Sequence, residues 1–128
     1  RHRTHRPPNG YVVMPDPAQS PGKESTLQSR QRLRIQTEGK YALLAGGITR
    51  QKGTIRLLEA VRASSSMNSQ MRILLAGRCE DAVRDWMSQA DSTIQDRVVL
   101  IDRHLTEREM SNAFAASDVV LALQLDRP

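Results

Sequence analysis

Aromatic residues are scarce in this 128-residue sequence: one Trp, one Phe and two Tyr, 3% of the chain. There is little to stack nucleobases on, so nucleic-acid binding by the main body is disfavoured. Cysteine occurs once, as Cys79; an internal disulfide is excluded, and a reducing, cytoplasmic setting is expected. No Cys/His cluster with zinc-ligand spacing exists, so a zinc site is not expected. No apolar run approaches the ~20 residues of a membrane-spanning helix. The sequence does not begin with Met and carries no signal-peptide pattern at its start, so a piece of a longer protein is expected.

What is present is a soluble composition, with 38% hydrophobic residues and a mean hydropathy of −0.53. The length suits one domain with a real core. The net charge of +5 is unevenly placed. Residues 1–36 hold seven Lys/Arg against two acids, and the rest of the chain balances. Residues 1–9 (RHRTHRPPN) read as a charged, flexible start, in which His2 and His5 are inert. A short apolar run covers 11–14, and residues 15–26 are a Pro/Ser/Gly-rich linker. Residues 1–26 are therefore a basic segment and linker with a short strand. Contact of this basic segment with an acidic lipid surface stays open. A polar helix over 27–36 precedes the main unit.

That unit begins with KYALLAGGITRQKGTIRLLEAVR at 40–62. Residues 41–45 have strand length and apolar character. Gly46-Gly47 breaks the strand and permits close approach of a ligand to backbone. Arg50 and Lys52 lie in the loop, and Gly53-Thr54 opens a helix with Ile55, Leu57, Leu58 and Val61 at helical spacing. A strand feeding a helix through glycines leaves amide groups free at the helix N-terminus, a ready site for phosphate. Further apolar strands follow at 71–76 (MRILLA), 98–101 (VVLI) and 119–123 (VVLAL). Between them lie a helix over 80–90 and another opened by Thr106-Glu107-Arg108-Glu109, a capping box. Continuous rather than alternating apolar strands mark a parallel sheet covered on both faces. The expected fold is α/β: a Rossmann-like, three-layer αβα arrangement with at least four parallel strands over 27–128. If the last strand sits on the far side of the first, a crevice opens between their carboxyl ends, with 46–52 on one lip and 124–128 on the other.

Several specific motifs are excluded. A Walker loop needs Gly-Lys-Ser/Thr, and here Lys52 precedes Gly53. The G-x-G-x-x-G fingerprint is missing and Gly77-Arg78, not an acid, ends the second strand, which argues against NAD. Asp102 at a strand end suggests a phosphoacceptor, but the acid pair such a site needs after the first strand is replaced by Gly46-Gly47. Cys79 reads as a small residue near a helix start, and Trp86 and Met87 as core or domain-interface residues. Glu80, Asp81, Arg84 and Asp85 read as a solvated helix face.

The segments GGITRQKGTIRLLEAVRAS, RILLAGRCEDAVRDWMSQA and DRVVLIDRHLTEREMSNAFAASDVVLAL occur in the order of three βα units. They resemble the C-terminal, nucleotide-sugar-binding domain of GT-B glycosyltransferases of the family 4 and glycogen synthase type. NGYVVMPDP is similar to the linker strand entering that domain, and the resemblance covers most of residues 10–125. It implies part of a donor-binding domain, with a nucleotide-diphosphate sugar as substrate and no metal or other cofactor. Lys52 matches the family's diphosphate lysine, and Gly46 and Gly47 stand where backbone meets phosphate. Gly77, Arg103, His104 and Leu105 stand near the nucleotide. Asp118 matches an acid read as structural. The family commonly has an arginine where Gly47 stands, and Arg50 is the candidate to compensate. Two pieces implied by the resemblance are missing from the sequence: the acceptor domain and the Glu–(seven residues)–Glu segment after the last strand. No catalytic residue can be named, and this stretch alone is expected to be inactive.

Blander alternatives stand beside each assignment. Lys52 and Arg50 are also explained as solvated loop cations, His104 as a surface turn histidine, and Gly46-Gly47 as a tight turn. At the level of function, the alternatives are another nucleotide-sugar enzyme, such as a non-hydrolysing 2-epimerase, and a non-catalytic interaction module of the same fold.

Overall fold

A computed structural model of the chain describes residues 11–13, 23–63 and 71–123. The elements are β1 (Tyr11–Val13), α1 (Lys23–Leu33), β2 (Lys40–Ala45), α2 (Thr54–Ala63), β3 (Met71–Ala76), α3 (Asp81–Ser88), α4 (Ser92–Arg97), β4 (Val98–Ile101), α5 (Glu107–Ala116) and β5 (Val119–Leu123). The sheet order is β1-β5-β2-β3-β4. Strands β2, β3, β4 and β5 run parallel, and β1 lies antiparallel on β5.

The layout follows from strand composition. In β2, Tyr41 and Leu43 point to one face, while Ala42 and Leu44 point to the other; all four are buried. The Ala42–Leu44 face packs with Ile73, Leu75 and Val98 against Leu57, Leu58 and Val61 of α2, Val83 of α3 and Ile94 of α4. The Tyr41–Leu43 face packs with Leu74 and Ala76 against Ala113 of α5 and Leu105, and α1 lies against α5. Helices thus cover both faces of a mostly parallel sheet, the expected three-layer α/β architecture.

Chain order steps outward from β2 to β3 to β4, then β5 returns to the opposite side of β2. This is the reversal that opens a crevice at the carboxyl ends of β2 and β5. The lip expected at 124–128 lies outside the described residues, as do Met14 and the helix stop expected at 64–68.

The structure departs from the sequence reading at two places. The polar helix runs Lys23–Leu33 rather than 27–36, so it starts inside the stretch read as linker and stops three residues early, where Arg34 takes φ 60. The single helix expected over 80–90 ends at Ser88, and a separate α4 follows. Asp91 makes this break: its carboxylate accepts the Thr93 N–H at 3.1 Å, capping the new helix. The Gln95 amide donates to Met87 O at 2.8 Å and ties α4 back to α3.

Arg30, counted by sequence among the basic residues of the N-terminal segment, is buried. Its Nε donates to Ala116 O at 2.8 Å, and its two terminal nitrogens reach Thr37 O, Gly39 O and the Asp118 carboxylate. The guanidinium lies 4.8 Å from the Tyr41 ring centroid. Asp118 also accepts the Tyr41 N–H at 2.8 Å, which fits its structural reading. This group fastens α1 to the chain entering β2 and to the α5–β5 turn.

Candidate functional site

The loops leaving β2 and β3 continue side by side after the strands end. Gly46 N donates to Ala76 O at 3.0 Å, Ile48 N to Arg78 O at 2.8 Å, and Glu80 N to Ile48 O at 2.9 Å. A side-chain rung closes this ladder: the Glu80 carboxylate accepts the Arg50 N–H at 3.1 Å. Gly77 N reaches across to Ile101 O of β4 at 3.0 Å. The ends of three adjacent strands are therefore locked together.

Two glycines are required by this closeness. A Cβ on Gly77 would fall 1.7 Å from Gly46 O, and Gly77 holds φ +147. Gly46 holds φ +97, and the Lys52 ammonium lies 3.3 Å from where its Cβ would be. Lys52 thus folds back over the glycine turn. Its N–H donates to Thr49 Oγ1 at 3.3 Å, and buried Thr54 donates its hydroxyl to Thr49 O at 2.8 Å. These bonds shape the turn leading into α2. The Lys52 ammonium has no partner among the described residues. Gly47 is different: it is exposed, and a Cβ there would meet only Thr49 Cγ2 at 3.9 Å.

Beside this turn, at the ends of β3 and β4, lies an open cleft of about 630 Å3 lined by Arg78, Cys79, Glu80, Asp81, Arg84, Asp102, Arg103 and His104. Its floor is organised by Asp102 and Arg84. Asp102 accepts the Cys79 N–H at 2.8 Å and Arg84 Nε at 2.9 Å. The other guanidinium nitrogens of Arg84 reach Asp81 and Cys79 O, each at 2.7 Å. The Cys79 N–H, aided by Arg84, holds the Asp102 carboxyl below its usual range. Burial and the nearby Asp102 charge push the Cys79 thiol up, so it is not a poised thiolate.

The capping box at α5 is formed: Thr106 Oγ1 accepts the Glu109 N–H and Glu109 accepts the Thr106 N–H. Glu109 also pairs with Arg103. The Thr106 N–H, followed by Arg103, holds the Glu109 carboxyl low.

The structure brings Gly46, Gly47, Arg50, Lys52 and Gly77 together at the carboxyl ends of β2 and β3, and sets Arg103 and His104 on the neighbouring cleft. Leu105 is divided from them. Its side chain is buried with Tyr41 and Leu43 in the core, leaving only its backbone near the turn. Arg50 offers its amide to Glu80, while its exposed guanidinium has no partner among the described residues. Sequence reasoning placed Glu80, Asp81, Arg84 and Asp85 on a solvated helix face, and all four are exposed, with Arg84 paired to Asp81 three residues before it. The structure adds partners the sequence did not signal: Arg84 also reaches Asp102, and Glu80 links the two loops. Only the proximity of an acid to a strand end could have signalled this. Among the described residues, no cluster of His, Cys, Asp or Glu side chains could hold a metal ion, and no helix is long and apolar enough to cross a membrane.

Among solved structures, the chain is similar to the C-terminal domain of a Group 1 family glycosyl transferase, LpcC, from Francisella tularensis. The two share 17% identity with a TM-score of 0.59, over 74% of this chain. The chain has the fold of that domain. The match spans about half of it, 51%. No protein-family model matches the sequence, and no curated protein matches it.

Proposed function

We propose that this chain supplies the diphosphate and nucleotide part of the donor site in a glycosyltransferase, which moves a sugar from a nucleotide diphosphate to an acceptor. The observation carrying this reading is the unpartnered Lys52 ammonium folded over Gly46 beside the head of α2, at the point where the sheet reverses direction. The likeness to a glycosyltransferase C-terminal domain supports it. When a glycosidic bond to a diphosphate breaks, negative charge grows on the leaving phosphate. Fixed positive groups aimed at that oxygen stabilise the transition state. The α2 amides and Lys52 supply such groups without a metal. Arg50 adds a second, more mobile charge. The cleft beyond, with Gly77, Arg103, His104 and the Leu105 backbone along its approach, receives the nucleoside. The acceptor is bound by a separate domain, and the setting is cytoplasmic.

The test is calorimetric titration with UDP, GDP and ADP, with backbone shifts mapping the site. Saturable binding should perturb 46–52 and 103–105. Lys52→Ala should weaken it by about 1–3 kcal/mol, the worth of a hydrogen bond to a charged group. Equal affinity in the variant and the parent would remove Lys52 from the site. A second reading, a non-catalytic module of the same fold, is favoured by Gly47 standing where an arginine would reach phosphate, and by Arg84 and Arg103 already being paired with carboxylates. A chain that binds no nucleotide would support that reading.

A further inference from the structure

The turn that carries Lys52 is closed within itself. Gly53 N–H donates to Arg50 O at 2.9 Å, Lys52 N–H to Thr49 Oγ1 at 3.3 Å, and the Thr54 hydroxyl to Thr49 O at 2.8 Å. These bonds set its shape, and buried Thr54 anchors its far end in α2. Its near end is anchored at Ile48, which donates to Arg78 O and accepts the Glu80 N–H. Between the two anchors, among the described residues, one bond ties the turn to its neighbour: Arg50 N–H to the Glu80 carboxylate at 3.1 Å.

Glu80 is well placed to hold it. Its carbonyl accepts the Val83 and Arg84 N–H groups at 3.1 and 3.0 Å, so its backbone is part of the head of α3. It stands at the N-cap of that helix, yet its side chain makes no capping bond there. The carboxylate is turned instead to the other loop, two residues from Lys52. An ionised acceptor makes the stronger bond to an amide. The same charge opposes an anion at Lys52, since like charges repel. Position and charge therefore pull in opposite directions, and an experiment can separate them.

We propose that Glu80 is a positioning residue for Lys52: by holding the Arg50 N–H it sets the tilt of the turn and keeps the Lys52 ammonium over Gly46, ready for a diphosphate. This rests on the donor-site reading above, and applies to any diphosphate whatever nucleoside it carries.

The test is calorimetric titration of the parent, Glu80→Gln, Glu80→Ala, Lys52→Ala and the Glu80→Ala/Lys52→Ala double variant with inorganic pyrophosphate, UDP, GDP and ADP. Thermal unfolding of each chain and amide exchange over 46–52 accompany it. If charge alone mattered, Gln and Ala at position 80 would both strengthen binding. Glu80→Gln keeps an acceptor for Arg50 N–H and should bind as the parent does or better. Glu80→Ala should bind about tenfold more weakly, exchange the Arg50 amide faster, and cost nothing further once Lys52 is gone. Pyrophosphate should follow the same pattern as the nucleotide. Glu80→Ala binding as tightly as the parent, with binding still dependent on Lys52, would overturn the proposal and leave the donor site standing. A loss that Glu80→Gln shares, or that adds in full to that of Lys52→Ala, would also overturn it. No binding of any probe by the parent, or binding indifferent to Lys52→Ala, would overturn both.

Discussion

Arg30 is the charged residue whose loss should cost the fold most, and its carboxylate partner should matter much less. In Arg30→Met a flexible apolar chain replaces the guanidinium. Three carbonyl oxygens, of Ala116, Thr37 and Gly39, lose their donors. The Ala116 bond is buried and the other two are part-buried; a buried acceptor left unmet costs about 1–3 kcal/mol, and the half-exposed ones less. Arg30 is 5% exposed at its side chain but Asp118 is 41% exposed, so water and the Tyr41 N–H still serve the freed carboxylate. Relief of these costs by repacking leaves a net loss of about 3 kcal/mol. For a domain of this size that corresponds to roughly 10–15 °C in Tm. Asp118→Asn keeps the carbonyl bonds of Arg30 and an acceptor for Tyr41, and should cost only about 1 kcal/mol. Urea unfolding at constant m-value, followed by far-UV circular dichroism, reads both numbers. Equal losses for the two variants, or a loss below about 1 kcal/mol for Arg30→Met, would show that the carbonyl bonds do not hold α1 in place.

Two further outcomes concern the loops and their pH response. Gly77→Ala should destabilise the chain by about 3 kcal/mol, since it forces a Cβ against Gly46 O in a backbone conformation that side chains rarely adopt. Gly47→Ala, with open space around it, should stay within about 0.5 kcal/mol of the parent; parallel melting curves check both. Asp102 and Glu109 are held below their ordinary values near 4. Their contribution is complete above the unfolded-state values and is lost as pH falls through the depressed folded values. Unfolding midpoints measured from pH 6 down to pH 2 should decline below about pH 4. Asp102→Asn and Glu109→Gln should each flatten that decline; a slope unchanged in both variants would assign the acid response to other carboxylates.

The strands and their order were legible because each is a short, continuous apolar run bounded by glycine or polar residues, the pattern a parallel sheet demands. The capping box of α5 was legible because it is written within four residues. What escaped was long-range. Nothing near Arg30 in sequence marks it as buried, because its acceptors sit at 37, 39, 116 and 118. Arg97 was hidden for the same reason: its guanidinium reaches Met71 O and Val61 O. Glu80 and Arg84 gave the helical spacing of a solvated face, and only the meeting of three strand ends gives them other partners. The helix α4 was locally encoded, in Asp91-Ser92-Thr93, but its six residues lie just past the apolar periodicity of Ala82 to Ala90 and are too few to show a helical face of their own.

The distribution of satisfied charge across the site also orients a ligand. Arg84 is committed to Asp102 and Asp81, and Arg103 to Glu109. These pairs leave little positive potential on the β4 side of the cleft. Lys52 and Arg50 have no carboxylate or hydrogen-bonding partner for their side chains among the described residues, and they lie in the loop at the carboxyl end of β2. The α2 amides add to that side. On the proposed donor-site reading, a diphosphate would be drawn to the β2 end and the less charged nucleoside left for the β4 end. The same partition explains why the excess charge of the chain is a poor guide to its ligand. The +5 belongs to residues 1–36 of the sequence, whereas the rest of the chain holds a balanced set of charges, polarised at the loops by which cations are left unpaired.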